Sequence, residues 1–218
     1  MLKSSGARSA TRPATLAASR SASAHYVIAG TGNRWTAAQC AVASTPGQSV
    51  NPGLKVRITD TMQLAAHVIG LVREHGPVAV FIDATGIGWG VYDRLNQLGC
   101  QGLVAVDFGA KADRTDGNDA NARYANKRAE MWGFLRDWLR FGALPDDREL
   151  KTDLVAVEYG YNRQDAILLE RKDDMRKRGV ASPDDGDALA LTFSYAVALP
   201  ETVSETRNRG EAGQRPWE

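Results

Sequence analysis

One stretch of this chain constrains its fold more than any other. It is Val78-Ala79-Val80-Phe81-Ile82, an unbroken apolar run that ends on Asp83. A half-buried strand alternates apolar and polar residues. A run that is apolar at every position has to be covered on both faces, which predicts a central strand of a layered α/β sheet. The glycine-rich segment Ala84-Thr85-Gly86-Ile87-Gly88-Trp89-Gly90 follows, then a helix from about Val91 to Leu98 stopped by Gly99, then a strand from Leu103 to Val106. Strand, helix and strand in that order make a parallel crossover unit. Asp83 therefore sits at the C-terminal edge of a buried strand, where open α/β sheets bind ligands, with glycines behind it that permit close approach. Capping the next helix is the plainer role for the same carboxylate. A dinucleotide loop fits poorly, because Asp83 intervenes and GIGWG lacks the GxGxxG spacing.

Composition divides the chain near Asp60. Residues 1–59 carry seven Lys and Arg and no Asp or Glu, so all 26 acids lie in 60–218 beside 20 basic residues, a net −6 there. The overall charge of +1 is an average over two unlike halves. Residues 1–24, rich in Ser, Ala and Arg, read as a disordered basic tail, with a mitochondrial transit peptide as the alternative; a wrong start or shifted frame would also give the composition of the whole acid-free stretch 1–59. Residues 200–218 read as a second disordered tail. Cys40 and Cys100 form neither a disulfide framework nor a CxxC metal pair. No apolar stretch reaches the length of about 18 residues that a membrane helix needs.

Short strand signals occur at His25–Ala29, Cys40–Ala43 and Leu54–Thr59, followed by a helix over Met62–Glu74 with Leu64, Val68 and Leu71 on one face. Beyond the polar loop Gly109–Asn121, helical spacing of Met131, Trp132, Leu135, Trp138 and Leu139 predicts a helix over Ala122–Phe141. After Pro145 a short helical turn leads to Leu154–Tyr159 and Ala166–Glu170, which read as a strand hairpin, and a final helix runs from Ser182-Pro183-Asp184 to about Leu199.

That last helix opens with a second chemical signal. Asp184, Asp185 and Asp187 place three carboxylates in four positions at the start of an otherwise apolar helix. The helix dipole favours acids there, but semi-buried carboxylates on one face, as Asp184 and Asp187 would be, also suit a hard cation such as Mg²⁺ or Mn²⁺. Candidate phosphate binders are Lys111, Arg114, Lys127 and Arg128, together with Arg171, Lys172, Arg176, Lys177 and Arg178 just before the acids. A solvated charged surface would read the same way.

Three strings in order, FIDATGIGWGVYDRL, ARYANKRAEMWGFLRDWL and KDDMRKRGVASPDDGDALALTF, resemble the C-terminal nuclease domain of bacteriophage large terminase subunits. The resemblance runs from about residue 60 to 199 and implies one α/β domain over 25–199, a ribonuclease H-like mixed β-sheet flanked by helices. It implies acids on the first strand, the fourth strand and the final helix that hold two divalent ions, Mg²⁺ or Mn²⁺, and cut DNA during genome packaging. Asp83 matches the second acid and Asp187 the third, with Asp184 beside it. Lys127, Arg128, Lys172, Arg176, Lys177 and Arg178 become the DNA-binding candidates. Implied partners are double-stranded DNA, the portal and the small terminase subunit, in the cytoplasm of a bacterial host.

The chain departs from this pattern in two ways. No acid precedes Asp60 to serve as the first-strand carboxylate, and no GxxxxGK[ST] motif of the ATPase motor occurs. A truncated or frame-disrupted prophage gene accounts for both. The leading reading is therefore an impaired metal-dependent endonuclease domain; the alternative is a non-catalytic packaging or DNA-binding remnant, and a nucleotide-binding Rossmann-like protein ranks third. Limited proteolysis is expected to leave a stable core that begins between residues 25 and 60; a core that keeps the first 20 or so residues would contradict the disordered tail.

Overall fold

The computed structural model describes residues 54–113 and 123–197 in full, and the backbone of 24–31 and 34–41. The expected tails, Arg114, and most of the polar loop Gly109–Asn121 lie outside the described residues.

Three strands open the sheet: β1 (Ala24–Thr31), β2 (Arg34–Ala41) and β3 (Leu54–Arg57). They pair antiparallel in succession. Helix α1 (Thr61–His75) follows, then β4 (Ala79–Asp83), α2 (Gly88–Gln97) and β5 (Leu103–Val106). β4 lies parallel to both β1 and β5, so the sheet order is β3-β2-β1-β4-β5 with β4 inside it, as its continuous apolar run requires. Helices α3 (Lys127–Trp138) and α4 (Arg148–Ala156) come next, then the hairpin β6 (Tyr159–Tyr161) and β7 (Ile167–Leu169). Helices α5 (Lys172–Lys177) and α6 (Asp184–Leu191) complete the described chain. This mixed α/β architecture is the ribonuclease H-like class that the sequence implied. Among the described residues, no helix is long and apolar enough to cross a membrane.

Side-chain alternation along β4 divides the core. Val80 and Ile82 pack under α1 and α2 with Leu64, Val68, Val91 and Leu95. Ala79 and Phe81 face the other layer, with Met131, Trp132 and Leu135 of α3 and Ala188–Leu191 of α6. The period of two then turns Asp83 toward the α3/α6 side.

Local signals explain where the elements begin and end. Asp60 caps α1 by accepting from Met62 N at 2.7 Å, and Gly76, with φ 58°, ends it in the left-handed conformation. Asn126 caps α3 through Ala129 N at 2.9 Å, so that helix starts at Lys127 rather than Ala122. The expected strand Leu154–Tyr159 is a correction: residues 148–156 are helical, because Asp147 accepts from Glu149 N and Leu150 N and starts a turn upstream of the β-branched run. Residues 172–177, which carry several of the candidate phosphate binders, form a short helix, and α6 ends at Leu191 rather than Leu199.

One glycine is required for the connection behind Asp83. A Cβ on Gly88 would stand 1.7 Å from the Asp83 carbonyl oxygen, so only glycine lets α2 begin against the end of β4. Gly88→Ala is expected to destabilise the fold by about 3 kcal/mol, since backbone rather than a flexible side chain must yield. Urea unfolding measures this, and a change under about 0.5 kcal/mol, the usual range for innocuous surface substitutions, would contradict the packing.

Candidate metal and nuclease site

Asp83 is delivered to the α3/α6 side by β4 and is 5% exposed. Its Oδ1 accepts from Thr85 N at 3.0 Å, and the Thr85 Oγ1 in turn accepts from Phe108 N at 3.4 Å. Burial pushes the Asp83 carboxyl up to about 6, against the hydrogen bonds from Thr85 and the charge of Lys172; the Asp187 charge raises it further.

Asp187, on α6, is 1% exposed. Its Oδ1 accepts from Arg128 Nε at 2.8 Å and from Trp132 Nε1 at 2.9 Å, both on α3. Lys172 of α5 brings Nζ to 2.9 Å from Oδ2 as an ion pair. Burial alone would raise this carboxyl, but Arg128 and Lys172 outweigh it and hold it below the usual range. Lys172 Nζ also lies 3.7 Å from Asp184 Oδ1, which accepts from Ser182 Oγ at 2.7 Å. Asp184 and Asp187 therefore share a face, as their spacing suggested, and one ammonium stands against both.

The first strand is legible from its backbone. β1 runs parallel to β4 with Ile28 beside Ile82, so the next residue, Ala29, occupies the register position beside Asp83. The strand sequence AHYVIAGT contains no acid.

The predicted basic residues divide by location. Lys127 is 1% exposed and is held by Asp113 Oδ1 at 2.6 Å, Glu130 Oε1 at 2.8 Å and the Tyr195 ring at 4.3 Å. Arg128 is buried on Asp187 and the Glu170 carbonyl. Their expected role as DNA contacts is corrected, because both charges are neutralised inside the fold, where phosphate has no access. Arg178 ties Glu158 and Glu170 of the hairpin region to α5. Arg176 and Lys177 stay exposed, at 61% and 75%, in short pairs with Asp173 and Asp174.

Sequence reasoning missed a second group of charges behind α6. Lys55 Nζ, on β3, lies 2.7 Å from Asp185 Oδ2, 2.8 Å from Glu149 Oε2 and 3.2 Å from Asp147 Oδ2. Burial works against its charge, but bonds to Asp185, Glu149 and Asp147 raise its pKa overall. Asp153 of α4 accepts from Asp185 N at 2.9 Å and Gly186 N at 3.2 Å, and burial pushes its carboxyl up to about 6. The alternating Lys55 and Arg57 were visible in sequence, but nothing local tied them to α6.

The donors near Asp83 suit a hard divalent cation in kind. Both carboxylates supply hard oxygen, and Asp187 Oδ2 lacks a directed hydrogen bond. Their number fits one ion: among the described residues, no three Asp, Glu, His or Cys side chains are grouped to hold a metal. Magnesium sites commonly use one or two carboxylates and complete the shell with water and phosphate.

In metal-free buffer the chain is expected to lose stability as pH rises from about 4 to 6. The folded Asp83 carboxyl binds its proton more tightly than an unfolded one at 3.8, so its contribution is present at low pH and is lost across that interval. Asp187, shifted the other way, acts below this window. Asp83→Asn should flatten the decline, leaving the share due to Asp153; urea midpoints between about pH 4 and 7 measure it, and equal slopes in parent and variant would contradict the buried carboxyl.

No protein-family model matches the chain, and no curated protein sequence matches it significantly. Solved structures do. The manganese-bound nuclease domain of the large terminase subunit gp2 of bacterial virus Sf6, a point mutant, superposes with TM-score 0.64 and 14% identity, covering 78% of this chain and 88% of that one. The unmutated Sf6 domain gives 0.63 at 15% identity, over 80% and 88%. The magnesium-bound large terminase nuclease of thermophilic phage G20c gives 0.53 at 14% identity, over 78% and 81%. The chain has the fold of phage large terminase nuclease domains.

Proposed function

We propose that this domain is a phage terminase-type DNA endonuclease domain. It would work with one divalent cation, Mg²⁺ or Mn²⁺, on Asp83 and Asp187, with Asp184 alongside. The reading rests on a buried carboxylate at the end of β4, Asp83, and a buried α6 carboxylate, Asp187, on elements that pack together on one side of the sheet, with the Asp187 charge among those acting on Asp83. The similar nuclease domains of Sf6 and G20c, with manganese and magnesium respectively, add support from fold.

When bound, the cation would polarise a phosphodiester oxygen and lower the pKa of the attacking water. Arg128 and Trp132 fix the Asp187 carboxylate by two hydrogen bonds to one oxygen, leaving Oδ2 for exchange between Lys172 and an ion. Thr85 holds Asp83 at the sheet edge. Arg176 and Lys177, on the same short helix as Lys172, are placed to meet DNA phosphates, which bind Lys and Arg irrespective of sequence. Portal and small terminase subunit are the partners this role would require, in the cytoplasm of an infected or lysogenic bacterium.

The position beside Asp83 on β1 holds Ala29, so a second ion lacks its bridging carboxylate and cleavage should be weak. A non-catalytic DNA-binding remnant is the second reading, favoured by the neutralisation of Asp187 by Arg128 and Lys172.

Plasmid nicking in Mn²⁺ separates the two. The expected result is slow nicking that EDTA and Asp83→Asn both abolish and that Ala29→Asp accelerates, because the new carboxylate enters next to Asp83. No nicking by parent and Ala29→Asp alike, with DNA binding retained, would establish the remnant instead.

A further inference from the structure

We propose that Lys55 and Asp153 are positioning residues that set the first turn of α6 and, through it, the places of Asp184 and Asp187. The consequence for cation binding rests on the function proposed above; the control of the turn does not.

Helix α6 cannot start itself. Its first amides need acceptors, and Pro183 at the cap position offers no side-chain bond. Asp153 supplies the missing acceptor from α4, with one oxygen taking both Asp185 N and Gly186 N. The turn also packs three carboxylates together, and Asp185 is buried among its like-charged neighbours. Lys55 reaches in from β3 and neutralises it at 2.7 Å.

The same ammonium holds Asp147 at 3.2 Å, and Asp147 caps α4, the helix that carries Asp153. One cation thus locks the start of α4 to the start of α6 and to an outer strand of the sheet. Gly186 completes the clamp: a Cβ there would come within 2.9 Å of the Trp132 ring and 3.3 Å of the Asp153 Cβ, so the turn is held between these two side chains. Trp132 is also the residue that bonds Asp187. Displacing the turn therefore displaces the carboxylate on it.

Hydrogen exchange on the full chain, read by mass spectrometry, tests this without metal. Lys55→Met and Asp153→Ala should speed exchange in peptides covering 184–191 by roughly 5- to 30-fold, the scale of a lost helix cap, while α1 and β4 peptides keep the parent rates. Lys55→Arg and Asp153→Asn keep the charge and the acceptor respectively, and should stay near the parent. Unchanged α6 exchange in the folded variants, or a rise of equal size everywhere, would overturn the positioning role. A second arm measures Mn²⁺ affinity by the paramagnetic resonance of free Mn²⁺. A fall of about 10- to 100-fold in Lys55→Met and Asp153→Ala, as for losses behind a ligand, supports the link to the cation. Faster α6 exchange with unaltered affinity would overturn that link. A parent chain that binds no Mn²⁺ would defeat the nuclease reading, and the exchange arm would still decide the positioning role.

Discussion

The described structure turns on one buried anion. Asp187 is taken out of water almost completely, and an isolated carboxylate in that position would be driven to protonate. Arg128 and Trp132 from α3 and Lys172 from α5 keep it charged. Those contacts specify how three helices meet on one side of the sheet: α3 must present its polar edge to α6, and α5 must lie across the gap. Buried charges of this kind add little net stability against an apolar alternative, but removing a partner is costly, so they define an arrangement more than they strengthen it.

The apolar run ending on Asp83 was enough to place β4 inside the sheet, and period two then put Asp83 toward α6. Asp184 and Asp187 were visible as acids too many for a first turn. What the sequence hid was the sign of exposure for basic residues. Lys127 and Arg128 open a helix after a polar loop, where charge ordinarily faces water; only tertiary packing shows that their partners are Glu130, Asp113 and Asp187. Helix α4 was legible only as a short helical turn after Pro145, for a related reason. Leu154, Val155 and Val157 carry strand propensity, but Val155 is 84% exposed, and the cap at Asp147 decided the matter. Lys55 and Asp153 were invisible because each acts on a turn more than 30 positions away, across elements whose packing no local pattern encodes.

At 14–15% identity, the likeness to the Sf6 and G20c domains is one of backbone. Within that backbone the sheet edge is asymmetric. Buried carboxylates end β4 and open α6, while the register position on β1 beside Asp83 holds Ala29. Lys172 compounds the asymmetry by setting a positive charge against the oxygen an ion would use. A cation entering here exchanges one positive partner of Asp187 for another, so its gain is the difference between two favourable contacts.

Whether Asp83 and Asp187 share one cation is decided by anomalous diffraction from crystals grown with Mn²⁺. A single peak between the two carboxylates is expected, with the Lys172 ammonium moved away from Asp187 Oδ2. Crystals saturated with Mn²⁺ that show no peak between them, and Lys172 still on Asp187, would contradict it.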